Sequence, residues 1–119
     1  MLPTNFADLA ERQPQLRSAL VALVEWIKAN PHLDHIDIRR VVSERPDIDT
    51  AQLAVALVSL ERHGILREKF GLIAPTNHVL TDDFYDSLKD IPPESFDTTD
   101  RSFNTDDAEV IPVYVGVNR

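Results

Sequence analysis

The segment HLDHIDI, residues 32–38, groups the residue types that most often bind a metal ion. It contains His32, Asp34, His35 and Asp37, and imidazole nitrogens with carboxylate oxygens are common zinc ligands. The histidine spacing is not that of a helical H-x-x-x-H pair, and the segment spans a loop and the start of a predicted helix. Aspartate is favoured there because it caps free N–H groups and complements the helix dipole. We therefore predict capping and no metal site.

Residues suited to catalysis are sparse. The three glycines are isolated in the sequence, so none builds a phosphate-binding loop. The candidate nucleophiles lack a recognisable elbow or an ordered base nearby; they are Ser43, Ser59 and Ser95. An acidic helix start explains the aspartates at 82, 83 and 86. We predict that the protein is not an enzyme and has no cofactor and no small-molecule substrate.

The main basic grouping consists of Arg39, Arg40 and Arg45. It is open to two interpretations. One is a solvated helix face on which the arginines pair with Glu44 and Asp47. The other is a docking site for an acidic partner or for the chain's own acidic segment at 97–107. The first interpretation is slightly favoured.

The net charge of −8 is unevenly distributed. Residues 1–81 contain 10 acidic and 9 basic residues, whereas residues 82–119 contain 10 acidic and 3 basic residues. Such acidity opposes approach to a phosphate backbone, where affinity comes largely from Lys and Arg. There is no cysteine, which excludes disulfides and thiol chemistry. The sequence lacks an apolar run of about 20 residues, so we expect a soluble, cytoplasmic protein.

Hydrophobic spacing predicts three helices in the first half of the chain. The first covers residues 14–30, and a second follows within HIDIRRVVSER, residues 35–45. Asp49 is the predicted N-cap of a third helix that runs to about His63, with Gln52 completing a capping box. Gly64 is the expected left-handed residue at its end.

After Gly64 the pattern changes to short apolar runs. We predict a β-hairpin of two or three strands within residues 65–80, with turns at Gly71 and at residues 75–77. A brief helix is expected within TDDFYDSL, residues 81–88. Residues 91–109 are polar and acidic and predict an extended or mobile connector. The terminal run EVIPVYVGV is β-like, and Pro112 predicts an edge position for it.

Three helices followed by a β-hairpin resemble the winged helix-turn-helix superfamily over roughly residues 15–85. The most similar segment is LERHGIL, residues 60–66, which fits the bacterial pattern L-E-x-x-G-[LI]-[VIL]. The resemblance implies an α+β fold, mainly α with a small β-hairpin, in a winged-helix domain at residues 1–89. Residues 90–119 would add an acidic C-terminal extension ending in the β-like strand. The superfamily contains transcription factors, interaction modules and structural subunits, so membership alone does not supply a function.

The resemblance also makes the third helix the expected DNA-reading element. If Leu53, Leu57 and Leu60 face the core, the outer surface has Val55 and Val58 at its centre, which offer neither charge nor hydrogen bonds. The chain's own C-terminal strand could cover this surface, or another chain could. We predict a non-DNA-binding interaction module, an accessory or adaptor subunit of a bacterial complex or a homodimer. Its interface residues would be Gln52, Val55, Val58, Ser59, Arg62 and Trp26.

The alternative is a DNA-binding transcriptional regulator with an acidic, autoinhibitory tail. Its nucleic-acid contacts would be Thr50, Gln52, Arg62, Arg67 and Lys69.

Overall fold

The computed structural model describes residues 3–117. The fold class is α+β, as predicted, with four helices and a small antiparallel sheet in the described residues. The helices are α1 (Pro3–Arg12), α2 (Arg17–Ala29), α3 (Ile38–Glu44) and α4 (Thr50–Arg62). The strands are β1 (His35–Ile36), β2 (Leu66–Ile73), β3 (Glu94–Phe96), β4 (Ser102–Asn104) and β5 (Glu109–Gly116). Short 3-10 turns occupy Pro14–Leu16, Leu88–Asp90 and Thr105–Asp107.

The chain forms two compact units. The first comprises the chain up to Arg67 and again from Tyr114, and the second is Glu68–Val113. We predicted a domain at residues 1–89 and an acidic extension at residues 90–119, and this division stays a prediction.

The first unit is built on helix packing. Its core contains fully buried side chains from all four helices, among them Leu9, Leu23, Val41 and Leu57. The spacing of apolar residues predicted the core face of α4, formed by Leu53, Leu57 and Leu60. Strand β1 adds Ile36, which pairs with Tyr114 of β5. Helix α2 begins after a 3-10 turn started by Pro14, a residue whose fixed φ suits a first helical turn.

The second unit has two small apolar clusters instead of one continuous helical core. One contains Leu72, Ala74 and Phe103, and the other contains Ile73, Ile111 and Val113. Residues 72–74 pair with residues 79–81 through backbone hydrogen bonds such as Thr81 N to Leu72 O, 2.9 Å. The turn predicted at residues 75–77 is therefore confirmed.

Two predictions about turns and edges are wrong. Gly71 is not a turn but lies inside the continuous strand β2, where a Cβ would come within 2.7 Å of Leu80 Cδ1. Glycine is used there for close packing, one of its known roles within strands. Strand β5 is the middle strand of the order β1-β5-β2, not an edge. Strand β1 pairs only with Tyr114 and Val115 of β5, so Pro112 lies beyond the part of β5 that β1 covers.

Two predictions about the acidic region are also wrong. Residues 81–88 do not form a helix, and only the short turn Leu88–Asp90 is helical there. Residues 91–109 are not the extended or partly mobile connector that we predicted, because β3 and β4 pair antiparallel with Ser95 opposite Phe103. Both of these residues are buried, so the hairpin has an inner face despite its polar composition.

Candidate functional site

Helix α4 is fixed at its N-terminus by the predicted cap. The Asp49 carboxylate accepts hydrogen bonds from Ala51 N at 2.9 Å and Gln52 N at 3.3 Å. These bonds satisfy donors that have no partner within the helix. The cap fixes the start of the helix at Thr50.

The C-terminus of α4 is fixed by a Schellman motif. Ile65 N donates to Leu60 O at 2.9 Å and Gly64 N donates to Glu61 O at 3.0 Å. Gly64 has φ 71°, in the left-handed region where a side chain is unfavourable. The end predicted from LERHGIL is thus confirmed.

One side of α4 is buried in the core. Leu53, Ala56, Leu57 and Leu60 have no exposed surface. The opposite side is defined by positions 51, 55, 58 and 62, which follow the i, i+4, i+7, i+11 spacing of one helical stripe. We call Ala51, Val55, Val58 and Arg62 the α4 outer face.

The α4 outer face is open to solvent. Val55 is 53% exposed and Val58 is 44% exposed, and Ala51 and Arg62 are exposed too. Nothing in residues 3–117 covers them, so the option that the chain's own C-terminal strand lies across this face is not realised. That strand instead pairs with β1 at its end, Val115 opposite His35.

The flanks of the face are polar. Gln52 is exposed, and Ser59 is half-buried with its hydroxyl 3.5 Å from Gln13 Oε1. Trp26, which we predicted to be an interface residue, is only 3% exposed and belongs to the core. The prediction is corrected on this point, because a side chain buried in the first unit has no surface to offer. Five of the six predicted interface residues therefore lie together on α4.

The residues predicted to contact DNA are not equally available. Thr50, Gln52, Arg62 and Arg67 are exposed. Lys69 is half-buried, with Nζ 3.6 Å from the Asp86 carboxylate. A lysine already paired with a carboxylate is a weaker phosphate contact, and the centre of the helix surface remains aliphatic.

A groove of about 450 Å³ lies at the N-terminal end of α4. Its lining includes Glu25, Arg45, Asp47, Asp49 and Gln52. Arg45 donates to Glu25 Oε2 and to Asp47 Oδ2, both at 3.0 Å. These hydrogen bonds raise the pKa of Arg45 above its usual range and lower that of Asp47. Three carboxylates against one guanidinium leave the groove negative.

The basic grouping follows the solvated-face interpretation. Arg40 Nε donates to Glu44 Oε2 at 2.8 Å, one turn along α3. Arg45 is paired as described, and Arg39 lies 3.6 Å from Asp37. Since each arginine already has a carboxylate beside it, the grouping is not a concentrated positive patch.

The histidine and aspartate segment has a structural role. The Asp37 carboxylate accepts a hydrogen bond from Arg39 N at 3.0 Å and so caps α3, as predicted. His35 Nδ1 lies 3.1 Å from Asp34 Oδ1. Across the described residues there is no group of three or more side chains that could hold a metal ion.

The second unit contains a buried carboxylate that was not predicted from sequence. Asp97, 4% exposed, accepts from Thr76 Oγ1 at 2.5 Å, Thr99 Oγ1 at 2.6 Å and the backbone N of Thr99 and Arg101. The Thr76 and Thr99 hydroxyls hold the pKa of Asp97 well below its usual range. The signal for this site was the sequence DTTD, since aspartate commonly bonds to the backbone two residues on.

No protein family, no characterised protein and no solved structure matches this chain. In the part of the chain that the structure describes, no helix is both long and apolar enough to cross a bilayer.

Proposed function

We propose that this chain is a non-enzymatic interaction module of the winged-helix type, an accessory or adaptor subunit of a bacterial complex that acts in the cytoplasm. The single observation that carries the proposal is the α4 outer face. A helix fixed at both ends presents two half-exposed valines and an alanine directly opposite its core residues. A reading helix would place donors and charges there.

The energetics favour covering this face with protein. Complete burial of a valine stabilises by roughly 1.5 to 3 kcal/mol. Because Val55 and Val58 are already about half buried, a partner would gain approximately half of that for each. Two such residues together provide a modest gain in binding free energy, and the polar groups of Gln52 and Arg62 flank them.

The winged-helix assignment is supported by element order. Helices α2, α3 and α4 are followed by the antiparallel strands β2 and β5. In this proposal the acidic segment between β2 and β5 is an elaboration of the wing. The Schellman end of α4 supports the LERHGIL motif as a structural signature.

The proposal is tested by affinity purification of the tagged full-length chain from its native host. The Val55→Glu/Val58→Glu variant should lose its bound protein, because two carboxylates would be desolvated in the interface. The matched control is Val79→Glu, an exposed valine in the second unit. Retention of every partner by the double variant would overturn the role of α4.

Mobility shift of duplex DNA at about 50 and 200 mM salt tests whether the full-length chain, with its acidic segment in place, binds DNA. We expect no shift by the full-length protein at either salt concentration. A shift that weakens steeply with salt and is lost in Arg62→Gln/Arg67→Gln would favour the regulator instead.

A further inference from the structure

We propose that the partner seated on the α4 outer face is a second copy of this chain, whose own α4 packs against it in the antiparallel direction. This inference rests on the proposed function and specifies the partner. It follows from three properties of the face: self-complementary shape, opposite charges at its two ends, and alignment of the two helix dipoles.

The shape of the face is self-complementary about its centre. A two-fold axis midway between Val55 and Val58 places each Val55 opposite Val58 of the second copy. The same register places Ala51 opposite Arg62 of the second copy. A small residue thus faces a long one at each end, and a compact aliphatic pair occupies the middle. An isologous contact of this kind closes after two copies.

The charges at the two ends of α4 are complementary. Arg62 is exposed in the last turn. In the antiparallel register it reaches the N-terminal end of the other α4, beside the groove lined by Glu25, Asp47 and Asp49. That groove has one guanidinium, Arg45, for three carboxylates, so it can accept a second cation. The interaction occurs twice in a symmetric dimer.

The parallel arrangement is disfavoured by the same residues. It would place Arg62 beside Arg62 of the second copy and Val55 beside Val55. Like charges in contact destabilise a helix pair, and the negative ends of the two helix dipoles would lie together. The antiparallel arrangement reverses both effects.

Sedimentation velocity and light scattering over about 1 to 500 μM test the association. We expect a monomer–dimer equilibrium that depends on concentration, since a single helix pair is at the small end of interface sizes. Val55→Glu should weaken dimerisation by roughly tenfold or more, because it buries a charge against Val58 of the second copy. Val79→Glu should leave it unchanged. A protein that remains monomeric over the whole range overturns the inference.

The register is tested by cross-linking, which is possible because the chain has no cysteine. Ala51→Cys and Arg62→Cys copies carrying tags of different size are mixed and treated with a short bismaleimide. We expect a cross-link between the two variants. Each variant alone should give little product, because identical positions would be separated by about 16 Å along the helix axes.

Control variants distinguish the antiparallel register from other contacts between two copies. Glu11→Cys, on the exposed side of α1, should not cross-link to Ala51→Cys. Efficient cross-linking of Ala51→Cys to itself would indicate a parallel pair or another contact and would overturn the register. A monomer that still retains a host partner through Val55 and Val58 would overturn the dimer and leave the proposed function supported.

Discussion

The two units of this chain reach order by different means. The first unit contains 9 acidic and 9 basic residues and a core of aliphatic side chains from four helices. The second contains 11 acidic and 3 basic residues, and two small clusters. In the second, a buried carboxylate bonded to hydroxyls and backbone amides adds a polar link between the turn at Thr76 and the β3–β4 hairpin. Polar composition predicted a connector at residues 91–109, whereas hydrogen bonds to the Asp97 carboxylate help to order this segment.

The first prediction concerns the aliphatic core. Leu57→Ala should reduce the free energy of unfolding by about 2 to 5 kcal/mol, since it removes a fully buried side chain and leaves a cavity. Urea denaturation followed by the fluorescence of Trp26, the one tryptophan and a core residue of the same unit, measures this directly. Leu88→Ala is the matched control at an exposed leucine. Equal effects at the two positions would contradict a core centred on α4.

The second prediction concerns the carboxylate of the other unit. Asp97→Asn should destabilise residues 94–104, because the replacement amide cannot accept all the hydrogen bonds from Thr76, Thr99 and Arg101. Hydrogen exchange at the Thr99 and Arg101 amides should accelerate. Asp106→Asn, an exposed aspartate, is the control. Unchanged protection of both amides would show that Asp97 does not organise the hairpin.

The same residue gives a pH dependence with a defined sign. Because the folded pKa of Asp97 is lowered, the unfolded state binds the proton more readily, and stability falls as pH decreases below the ordinary aspartate pKa of about 3.9. The difference in unfolding free energy between the wild type and Asp97→Asn should be constant above about pH 5 and shrink below about pH 4. A difference independent of pH would mean that the charge contributes nothing.

A third prediction tests close packing in β2. Gly71→Ala should cost about 1 kcal/mol, because the new methyl group would meet the end of the Leu80 side chain at 2.7 Å, which can shift, and the Phe84 ring at 3.3 Å. The Gly71→Ala/Leu80→Ala double variant should cost less than the sum of the single changes, since shortening Leu80 removes the overlap. Urea denaturation followed by circular dichroism measures all three. If the effects of the two single changes were strictly additive, Gly71→Ala would not strain the structure through Leu80.

These features were predictable from sequence when the interacting residues lie close together along the chain. The Asp49 cap and the Gly64 end of α4 were predictable, because each involves residues within five positions of one another. The role of Gly71 was not, since glycine also marks turns and its neighbour Phe84 lies 13 positions away. The Asp97 bond to Thr76 joins residues 21 positions apart. For Pro112, the sequence did not reveal that β5 is the middle strand of its sheet or that β1 is only two residues long.

The exposed valines of α4 were predictable from helical spacing, whereas Trp26 was not placed correctly. Helix α2 is apolar on most sides, and pattern alone does not say which side meets α1. On α4 the leucines define one core direction, so the opposite stripe follows from the period of the helix. The outer face is therefore the part of the candidate site that sequence and structure describe alike.

The smallest effect on stability is expected at that face. Val55→Glu/Val58→Glu should change the unfolding free energy of the monomer by no more than about 0.5 kcal/mol, because both side chains are partly solvated. The measurement is urea denaturation followed by Trp26 fluorescence at a concentration low enough to exclude association. A small effect here, together with loss of association, separates a binding surface from a structural one. A loss of unfolding free energy comparable to that of Leu57→Ala would instead mean that the valines stabilise the monomer. The α4 outer face would then not be a binding surface.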